Sequence, residues 1–370
     1  MNRYQRHSLI DWFDQSRLKE AKIIVVGAGA VGNEVLKNLT LLGVGNISIF
    51  DFDKIEEHNL TRCILFNESD VGRYKAEVAA NTCRLIDPNV KIVHQNIDFW
   101  QGLSFEEIEK SDAVICCVDN FEARLGLNQL CMIVNTDFYN TGIDSRYSSV
   151  ELFPFSLEPD CSCYECGIPH TVYTSLQKRF SCGWLKKIAY KEKKIPTTTI
   201  TSSISGAFVV SILLNRLNKH EQSIQGAVRC FHDSISLQST ISSIQRKDDC
   251  PSCQRYGEKF ERIVTKRICL PENDLEFDID ENIHILLSEP VVLYGKCKLC
   301  DKVTNYYEST KYMTDSAIFC KNCKSNSINL KIVERMPVEE FEQLFYGKKV
   351  PCKYLIYQTK KEQLIFELEG

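Results

Sequence analysis

The segment Lys22-Ile-Ile-Val-Val-Gly-Ala-Gly-Ala-Val-Gly32 decides the fold that this sequence predicts. Its apolar first half indicates a buried strand, and apolar residues recur at helical spacing after the glycines, as far as Leu42. A second apolar run, at 47–50, follows and leads into Asp51. The order of strand, glycine turn, helix, strand and acid is typical of a βαβ unit that binds a nucleotide.

Each glycine of this turn has a predicted purpose. Gly27 allows the tight turn, Gly29 lets the backbone approach a phosphate, and Gly32 lets the helix lie close to the strand. The unpaired N–H groups and partial positive charge of the helix N-terminus favour the same anion. Asp51 is spaced to meet a ribose hydroxyl. The alternative is a glycine turn that serves packing alone.

Composition argues against several classes of function. The chain has 370 residues, enough for two domains, and its net charge of −4 comes from interspersed acids and bases, which does not favour nucleic-acid or membrane-surface binding. No apolar run reaches the ~20 residues that span a bilayer, and the N-terminus lacks the apolar core of a signal peptide. We therefore expect a cytoplasmic protein whose 18 cysteines are metal ligands, buried residues or a reactive thiol.

Alternating strand and helix patterns predict an α/β fold, a Rossmann-like mixed sheet that is parallel at its start and antiparallel later. A composition shift at 255–261 divides the chain. We expect a nucleotide-binding domain over residues 1–260 and a small α+β domain over 261–370, with one helix at 337–345.

The first two Cys-x2-Cys pairs are Cys163 with Cys166 and Cys250 with Cys253. Four thiolates in a tetrahedral array suit Zn²⁺ and leave no open position, so this site is expected to be structural and to connect two distant segments. Buried free thiols are the alternative, and Cys161 lies close enough to compete with Cys163.

A second set of pairs, Cys297 with Cys300 and Cys320 with Cys323, has nineteen residues between the pairs. This compact spacing is typical of a zinc ribbon, and a small domain of this kind often depends on its metal for folding. Some ribbons bind nucleic acid, while others dock proteins or are purely structural. We expect the 261–370 domain to dock a protein partner.

Acids, amides and cations follow the first strands. They are Asp51, Asp53, Asn59, Arg62, Lys75, Asp119 and Asn120. Strand ends of an open α/β sheet are where its ligand binds, and here two cations can neutralise phosphates while an acid can hold Mg²⁺. No acid or base suited to hydride transfer is evident. The alternatives are that Asp119 caps the next helix and that Arg62 and Lys75 form surface ion pairs.

These motifs together resemble the ubiquitin-activating (ThiF/MoeB/ubiquitin-activating enzyme) superfamily, which includes the adenylyltransferases of molybdopterin and thiazole synthesis. The motifs Arg3-Tyr-Gln-Arg6, Gly27–Gly32, Asp51-Phe-Asp53, Asn59-Leu-Thr-Arg62, Gly72-Arg-Tyr-Lys75 and Asp87-Pro-Asn89 stand in the family's order. Val118-Asp-Asn-Phe-Glu-Ala-Arg124 and Ile195-Pro-Thr-Thr-Thr199 are similar to the activating enzyme of ubiquitin-fold modifier. The resemblance covers about residues 3–260 and makes them an ATP-binding adenylation domain.

The resemblance also implies roles for matching residues. ATP would be held by Gly27, Gly29, Gly32, Asp51, Asp53, Asn59, Arg62, Lys75, Asn96, Asp119 and Asn120. Among these, Arg62 and Lys75 would bind the triphosphate, and Asp119 would bind Mg²⁺ and support adenylation. In homodimeric members an N-terminal arginine reaches the partner's ATP, and Arg6 would be that residue. Cys63 stands where the family usually has Gln, a departure at one local contact.

Members that form a thioester pass the acyl group to a cysteine, and Cys182 is the best candidate here. It lies between the first cysteine pair and Pro196-Thr-Thr, in a segment, 178–187, that holds four cations. These cations favour a thiolate if they also surround the cysteine in space. Some prokaryotic activating enzymes resemble this segment, whereas the ubiquitin-fold-modifier enzyme has its cysteine nearer to Pro-Thr-Thr. The alternative is a packed or incidental thiol.

The resemblance implies ATP-dependent adenylation of the C-terminal glycine of a ubiquitin-like protein, thioester formation and transfer to a conjugating enzyme. The cofactors would be ATP, Mg²⁺ and two structural Zn²⁺ ions, and the protein would be a homodimer. The alternatives are a sulfur-carrier adenylyltransferase, an inactive nucleotide-fold scaffold or zinc-ribbon binding module, and a relative of tRNA-modifying dehydratases, whose basic face is not evident. The prokaryotic similarity suggests a bacterial operon, for example in antiviral defence.

Overall fold

The computed structural model describes residues 3–169, 196–220, 224–256, 262–268, 284–345, 350–358 and 363–368. These residues fall into two compact units. The first unit contains the described residues 3–168 and 196–256, and the second contains Pro169 and the described residues from 262 onwards. The boundary predicted at residue 260 lies outside the described residues.

An eight-stranded mixed sheet forms the centre of the first unit. Its strands are β1 (Lys22–Val26), β2 (Asn46–Phe50), β3 (Lys91–Gln95), β4 (Ala113–Cys116), β5 (Phe138–Ile143), β6 (Tyr147–Phe153), β7 (Val228–Asp233) and β8 (Gln238–Ser243). Their order across the sheet is β3-β2-β1-β4-β5-β6-β7-β8. The first five pair in parallel and the last three in antiparallel fashion. The predicted Rossmann-like mixed sheet is confirmed.

Helices connect the parallel strands and cover the sheet. They are α1 (Gln15–Glu20), α2 (Ala30–Leu42), α3 (Lys75–Ile86), α4 (Phe99–Gly102), α5 (Phe105–Glu109), α6 (Phe121–Ile133), α7 (Thr199–Leu217) and α8 (Pro251–Tyr256). The parallel strands and crossover helices bring the carboxyl ends of β1 to β5 to one edge of the sheet. We call this the carboxyl edge, and it is where the candidate site lies.

Helices α2 and α7 run side by side in the same direction. Near their beginnings, the Ser203 hydroxyl donates to the Glu34 carboxylate at 3.0 Å, and a Cβ at Gly206 would lie 2.5 Å from the Glu34 Cβ. Near their ends, both contact the α1 region: Gln15 donates to the Leu42 carbonyl, and the Asp14 N–H donates to the Asn218 side chain. Helix α7 therefore begins at the carboxyl edge.

Helix α7, with 19 residues, is the one described helix that is long and apolar enough to cross a bilayer. That property is weak evidence for a membrane span, because core helices of folded domains share it. Helix α7 packs here against α2, and Ser148 of β6 donates to the Thr201 carbonyl at its first turn.

The second unit has a six-stranded sheet. Its strands are β9 (Arg262–Ile268), β10 (His284–Cys297), β11 (Val303–Ser309), β12 (Ile328–Pro337), β13 (Tyr354–Gln358) and β14 (Gln363–Leu368), in the order β11-β10-β13-β14-β9 with β12 also on β10. One helix, α9 (Val338–Phe345), buries Phe341 and Phe345 against this sheet among the described residues. It matches the helix predicted at 337–345.

Candidate functional site

The glycine turn between β1 and α2 lies at the carboxyl edge with its backbone open. Gly27 has a φ of +95°, and a Cβ there would lie 2.7 Å from the Cys117 carbonyl oxygen, so only glycine fits. A Cβ at Gly32 would lie 2.0 Å from the Gly27 carbonyl oxygen. At Gly29, by contrast, a Cβ would meet no described atom within 4 Å. The space beside Gly29, at the N-terminus of α2, is open to a ligand.

Asp51 lies directly beneath this turn at the end of β2. Its carboxylate accepts hydrogen bonds from the backbone N–H groups of Ala28, at 2.7 Å, and Asp53, at 2.8 Å. Burial raises the pKa of Asp51, although the Lys75 charge and both hydrogen bonds act in the opposite direction. The carboxylate therefore fixes the turn and the loop after β2 relative to each other.

Lys75 begins α3 and reaches back towards the same loop. Its ammonium lies 2.8 Å from the Asp53 carboxylate, and its side chain is only 13% exposed. Burial acts to lower the pKa of Lys75, but the hydrogen bond to Asp53 and the charge of Asp51 outweigh it, so this pKa is raised. The Lys75 ammonium is therefore largely buried beside two acids, and its ion pair with Asp53 is not fully solvated.

Arg62 lies in the loop between these acids and α3, where it donates to the His58 carbonyl at 2.9 Å. Cys63 beside it is buried, and burial raises the pKa of its thiol to about 11, while the charges of Arg62 and Lys75 act to lower it. Both cations therefore lie close to one thiol. No described carboxylate pairs with Arg62, so the surface ion pair considered for Arg62 is not formed in this part of the chain.

Two of the predicted amide residues make local contacts. Asn59 is buried, and its side-chain oxygen accepts from the Glu56 N–H at 2.9 Å in a capping box. Asn96 is exposed directly after β3 at the carboxyl edge. Their contacts with a nucleotide stay predictions.

Asp119 follows β4 at the same edge, and its carboxylate is exposed. The residue that caps α6 is Asn120, whose side chain accepts from the Ala123 N–H at 2.8 Å. The capping alternative for Asp119 is therefore wrong: Asp119 accepts no hydrogen bond from the described part of the chain. Its carboxylate is available to a ligand.

The N-terminal segment lies at the opposite edge of the sheet. Tyr4 donates to the buried carboxylate of Asp87, and Arg3 pairs with the same carboxylate at 2.6 Å. Asp87 follows the end of α3, and the Tyr4 ring packs where a Cβ of Gly43 would be, after the end of α2. Arg6 is exposed two residues beyond Tyr4, so its backbone lies at the edge opposite its own chain's glycine turn.

The cysteine pairs converge as predicted. Cys163, Cys166, Cys250 and Cys253 are buried, and their sulfur atoms lie within 4.8 Å of one another. The same separation holds for the sulfur atoms of a second quartet, in which Cys297 and Cys320 are buried while Cys300 and Cys323 are partly exposed. Each quartet could hold a metal ion, and an all-thiolate set suits Zn²⁺. Cys161 belongs to neither quartet. Cys182 lies outside the described residues.

Comparison with known proteins identifies the family. The ThiF family model matches residues 3–253. The chain belongs to the ThiF family. The match includes the glycine turn, the loops with Arg62 and Asp119, and the first cysteine quartet, and it ends before β9, the first strand of the second sheet.

Curated ThiF-type relatives include "Ubiquitin-like modifier-activating enzyme 5" of Aedes aegypti, 30% identical over 226 residues, or 58% of this chain and 54% of the relative. The enzyme of the same name from Caenorhabditis elegans is 28% identical over 289 residues, 75% of this chain and 65% of the relative. The chain thus spans about half to two thirds of the length of these relatives.

Solved structures of similar fold include E. coli MccB with ATP, with a TM-score of 0.56 and 22% identity, covering 68% of this chain and 73% of MccB. PaaA gives a TM-score of 0.52 at 19% identity, covering 65% of this chain and 82% of PaaA. At these identities the likeness supports the ThiF-type fold alone.

Sequence reasoning missed one residue of this ThiF-type site. The buried side chain of Asn33 donates to the carbonyl oxygens of Ala28, at 2.7 Å, and Gly29, at 3.1 Å, and accepts from the Leu65 N–H at 2.8 Å. It joins the glycine turn to the segment after Arg62. A polar residue directly after the third glycine, facing the core side of α2, was the available signal.

Proposed function

We propose that this protein activates a ubiquitin-like protein: it adenylates the C-terminal glycine with ATP, transfers the acyl group to a cysteine and passes it to a conjugating enzyme. The observation that carries the proposal is the convergence at one sheet edge of an open glycine turn, two cations and an acid that has no hydrogen-bond partner among the described residues. The open space at Gly29 accommodates phosphate, which the α2 N-terminus also favours. Lys75 and Arg62 supply positive charge, and Asp119 is free to bind a metal.

The comparisons support the substrate class. The curated relatives are named as activating enzymes of ubiquitin-like modifiers, and the ThiF family model matches residues 3–253 of this chain. MccB, which shares the fold, was solved with ATP. The likeness to MccB supports the fold, and the relatives' names support the reaction.

The first chemical step forms an acyl-adenylate. A carboxylate oxygen of the terminal glycine attacks the α-phosphorus of ATP, a new P–O bond forms, and the bond to the β-phosphate breaks to release pyrophosphate. Arg62 and Lys75 stabilise the charge that builds up on the phosphates, and loss of one such donor typically costs ~3 kcal/mol, about 10²-fold in rate. Asp51 and Asp53 would hold the ribose, with Asn59, Asn96 and Asn120 beside the nucleotide. Mg²⁺ held by Asp119 would neutralise phosphate charge.

The second step uses a thiolate. The thiolate of Cys182 attacks the acyl carbon, the thioester bond forms, and the bond to AMP breaks so that AMP leaves. The segment that carries Cys182 ends at α7, which begins at the carboxyl edge beside α2. The described residues 196–198, which directly precede α7, therefore lie near the edge where the adenylate would form, and this supports the proposal.

Arg6 would act on the ATP of a second copy in a homodimer. Tyr4 and Arg3 hold the N-terminal segment at the edge opposite the glycine turn, so Arg6 is poorly placed for its own site. In a homodimer, Arg6 would instead reach the ATP site of the partner chain.

Two structural Zn²⁺ ions complete the proposal, one in each cysteine quartet. The first would connect residues 163–166 with 250–253 inside the adenylation domain, and the second would fold a zinc ribbon in the 261–370 domain, which would dock a partner. The proposed setting is the cytoplasm, where free thiolates persist.

Isotope exchange tests the activity. The purified chain is incubated with MgATP, labelled pyrophosphate and ubiquitin-like proteins that end in glycine, each paired with a copy that lacks this glycine. We expect exchange that depends on the terminal glycine and is lost in Asp119→Ala. Absence of MgATP binding by the wild-type chain would overturn the proposal, and undiminished exchange in Asp119→Ala would remove Asp119 from the mechanism.

A further inference from the structure

Arg124 lies in the first turn of α6, where a cation opposes the helix dipole. Its guanidinium does not point to solvent but turns back onto the sheet. It donates to the Val118 carbonyl at 2.5 Å, to the Asn140 side-chain oxygen at 2.7 Å and to the Thr141 carbonyl. A residue that disfavours its own helix and satisfies three acceptors elsewhere indicates a requirement outside that helix.

The guanidinium is itself held by a buried polar chain. The Asn140 amide donates to Glu151 at 2.7 Å, and the other Glu151 oxygen accepts from Arg229 at 2.6 Å. Asn140 and Glu151 are each only 4% exposed. Because Asn140 both accepts from Arg124 and donates to Glu151, which in turn accepts from Arg229, the network favours one orientation of the Arg124 guanidinium.

This orientation bears on the position of Asp119, because Arg124 holds the carbonyl of the preceding residue, Val118. The Asp119 side chain accepts no hydrogen bond and forms no ion pair among the described residues, so its position depends on the backbone that leads into it. That backbone is fixed at two points, the Cys117 N–H on the Val26 carbonyl at 2.7 Å and the Val118 carbonyl on Arg124. Removal of Arg124 releases the carbonyl immediately before Asp119.

We propose that Arg124 is a positioning residue for Asp119: by holding the Val118 carbonyl, it keeps the Asp119 carboxylate where it meets the Mg²⁺ of MgATP. This role rests on the proposed function. Arg124 itself touches no nucleotide in this scheme, and it acts on the metal ligand through the backbone. Loss of a group that orients a metal ligand typically costs about 10- to 100-fold in metal affinity or activity.

The test compares ATP affinity with and without Mg²⁺. In Arg124→Met, which keeps the aliphatic stem and loses the donors, we expect MgATP affinity to fall about 10- to 100-fold, while ATP affinity in EDTA changes little. In an Asp119→Asn background, Arg124→Met should cause little further loss, because both changes remove the same contact.

Arg216→Met is the matched control. Arg216 pairs at 2.7 Å with Asp137 in a buried pair at the opposite edge, since Asp137 precedes β5 and Arg216 is in the last turn of α7. This variant should lose stability and keep MgATP affinity. Equal losses with and without Mg²⁺ in Arg124→Met, or an unchanged MgATP affinity, would overturn the positioning role. A wild-type chain without MgATP affinity would instead overturn the proposed function.

Discussion

The side-chain oxygen of Asn33 accepts a 2.8 Å hydrogen bond from the backbone N–H of Leu65, thirty-two residues away in the chain. The amide of the same side chain donates to both carbonyl oxygens that flank the open part of the glycine turn. One buried side chain therefore sets the spacing between the turn and the segment that begins with Arg62.

Replacement of Asn33 by Ala should weaken both folding and ATP binding. The buried Ala28 carbonyl and Leu65 N–H would each lose this hydrogen bond, at a cost of about 1–3 kcal/mol for an unsatisfied group, while the Gly29 carbonyl would keep its bond from the backbone N–H of residue 33. The free energy of unfolding and the ATP affinity, measured by thermal unfolding and calorimetry, should both fall. Asn46→Ala is the control, because Asn46 donates to the Ala21 carbonyl at the opposite edge of the sheet. If Asn33→Ala loses stability and keeps the affinity of wild type, Asn33 serves folding alone.

Asn33 also shows where sequence reasoning stops. The glycine turn, Asp51 and the cysteine pairs could be predicted because each belongs to a motif whose residue types and spacing indicate its geometry. The contact of Asn33 with Leu65 depends on two segments that only the folded chain brings together.

The end of β4 shows the same limit. Spacing predicts that Asp119-Asn120 follows the strand, but it does not decide which of the two caps α6. The structure assigns the cap to Asn120, because its side chain reaches the Ala123 N–H while Asp119 faces outwards. Similarly, the sequence motif contains Arg124, but its contact with Asn140 requires the fold.

Mixing of inactive chains should restore activity if Arg6 serves the partner's ATP. Arg6→Ala and Asp119→Ala chains should each be inactive in pyrophosphate exchange. When they are unfolded, mixed and refolded in equal amounts, half of the dimers carry one complete site, so about a quarter of the wild-type rate should return. A mixture of Arg62→Ala and Asp119→Ala should stay inactive, since one chain supplies both residues to a site. Equal recovery in both mixtures, or none in the first, would contradict the assignment.

Cys182→Ser should separate the two chemical steps. Exchange of pyrophosphate should persist, because adenylation precedes the thiol step, while the adduct with the ubiquitin-like protein should resist reducing agent as an oxyester. Non-reducing and reducing gels read this directly. The control, Cys352→Ala, alters a thiol of the second unit and should leave the reducible adduct unchanged. A reducible adduct on Cys182→Ser would assign the thioester to another cysteine.

Loss of the two cysteine quartets should have separable consequences. Metal analysis of the purified chain should find two Zn²⁺ ions, and Cys163→Ser and Cys297→Ser should each lose one, because three thiolates hold structural zinc poorly.

The first quartet connects two segments that pack on α6: the Tyr164 N–H donates to Asn128 at 2.9 Å, and Gln129 donates to Ser252 at 3.1 Å. Because α6 begins directly after Asp119-Asn120, Cys163→Ser should loosen this helix and lower the affinity for MgATP. Cys297→Ser should leave MgATP affinity intact and expose the second unit to protease, whereas an equal loss of affinity in both variants would place the second quartet in the nucleotide site's support as well.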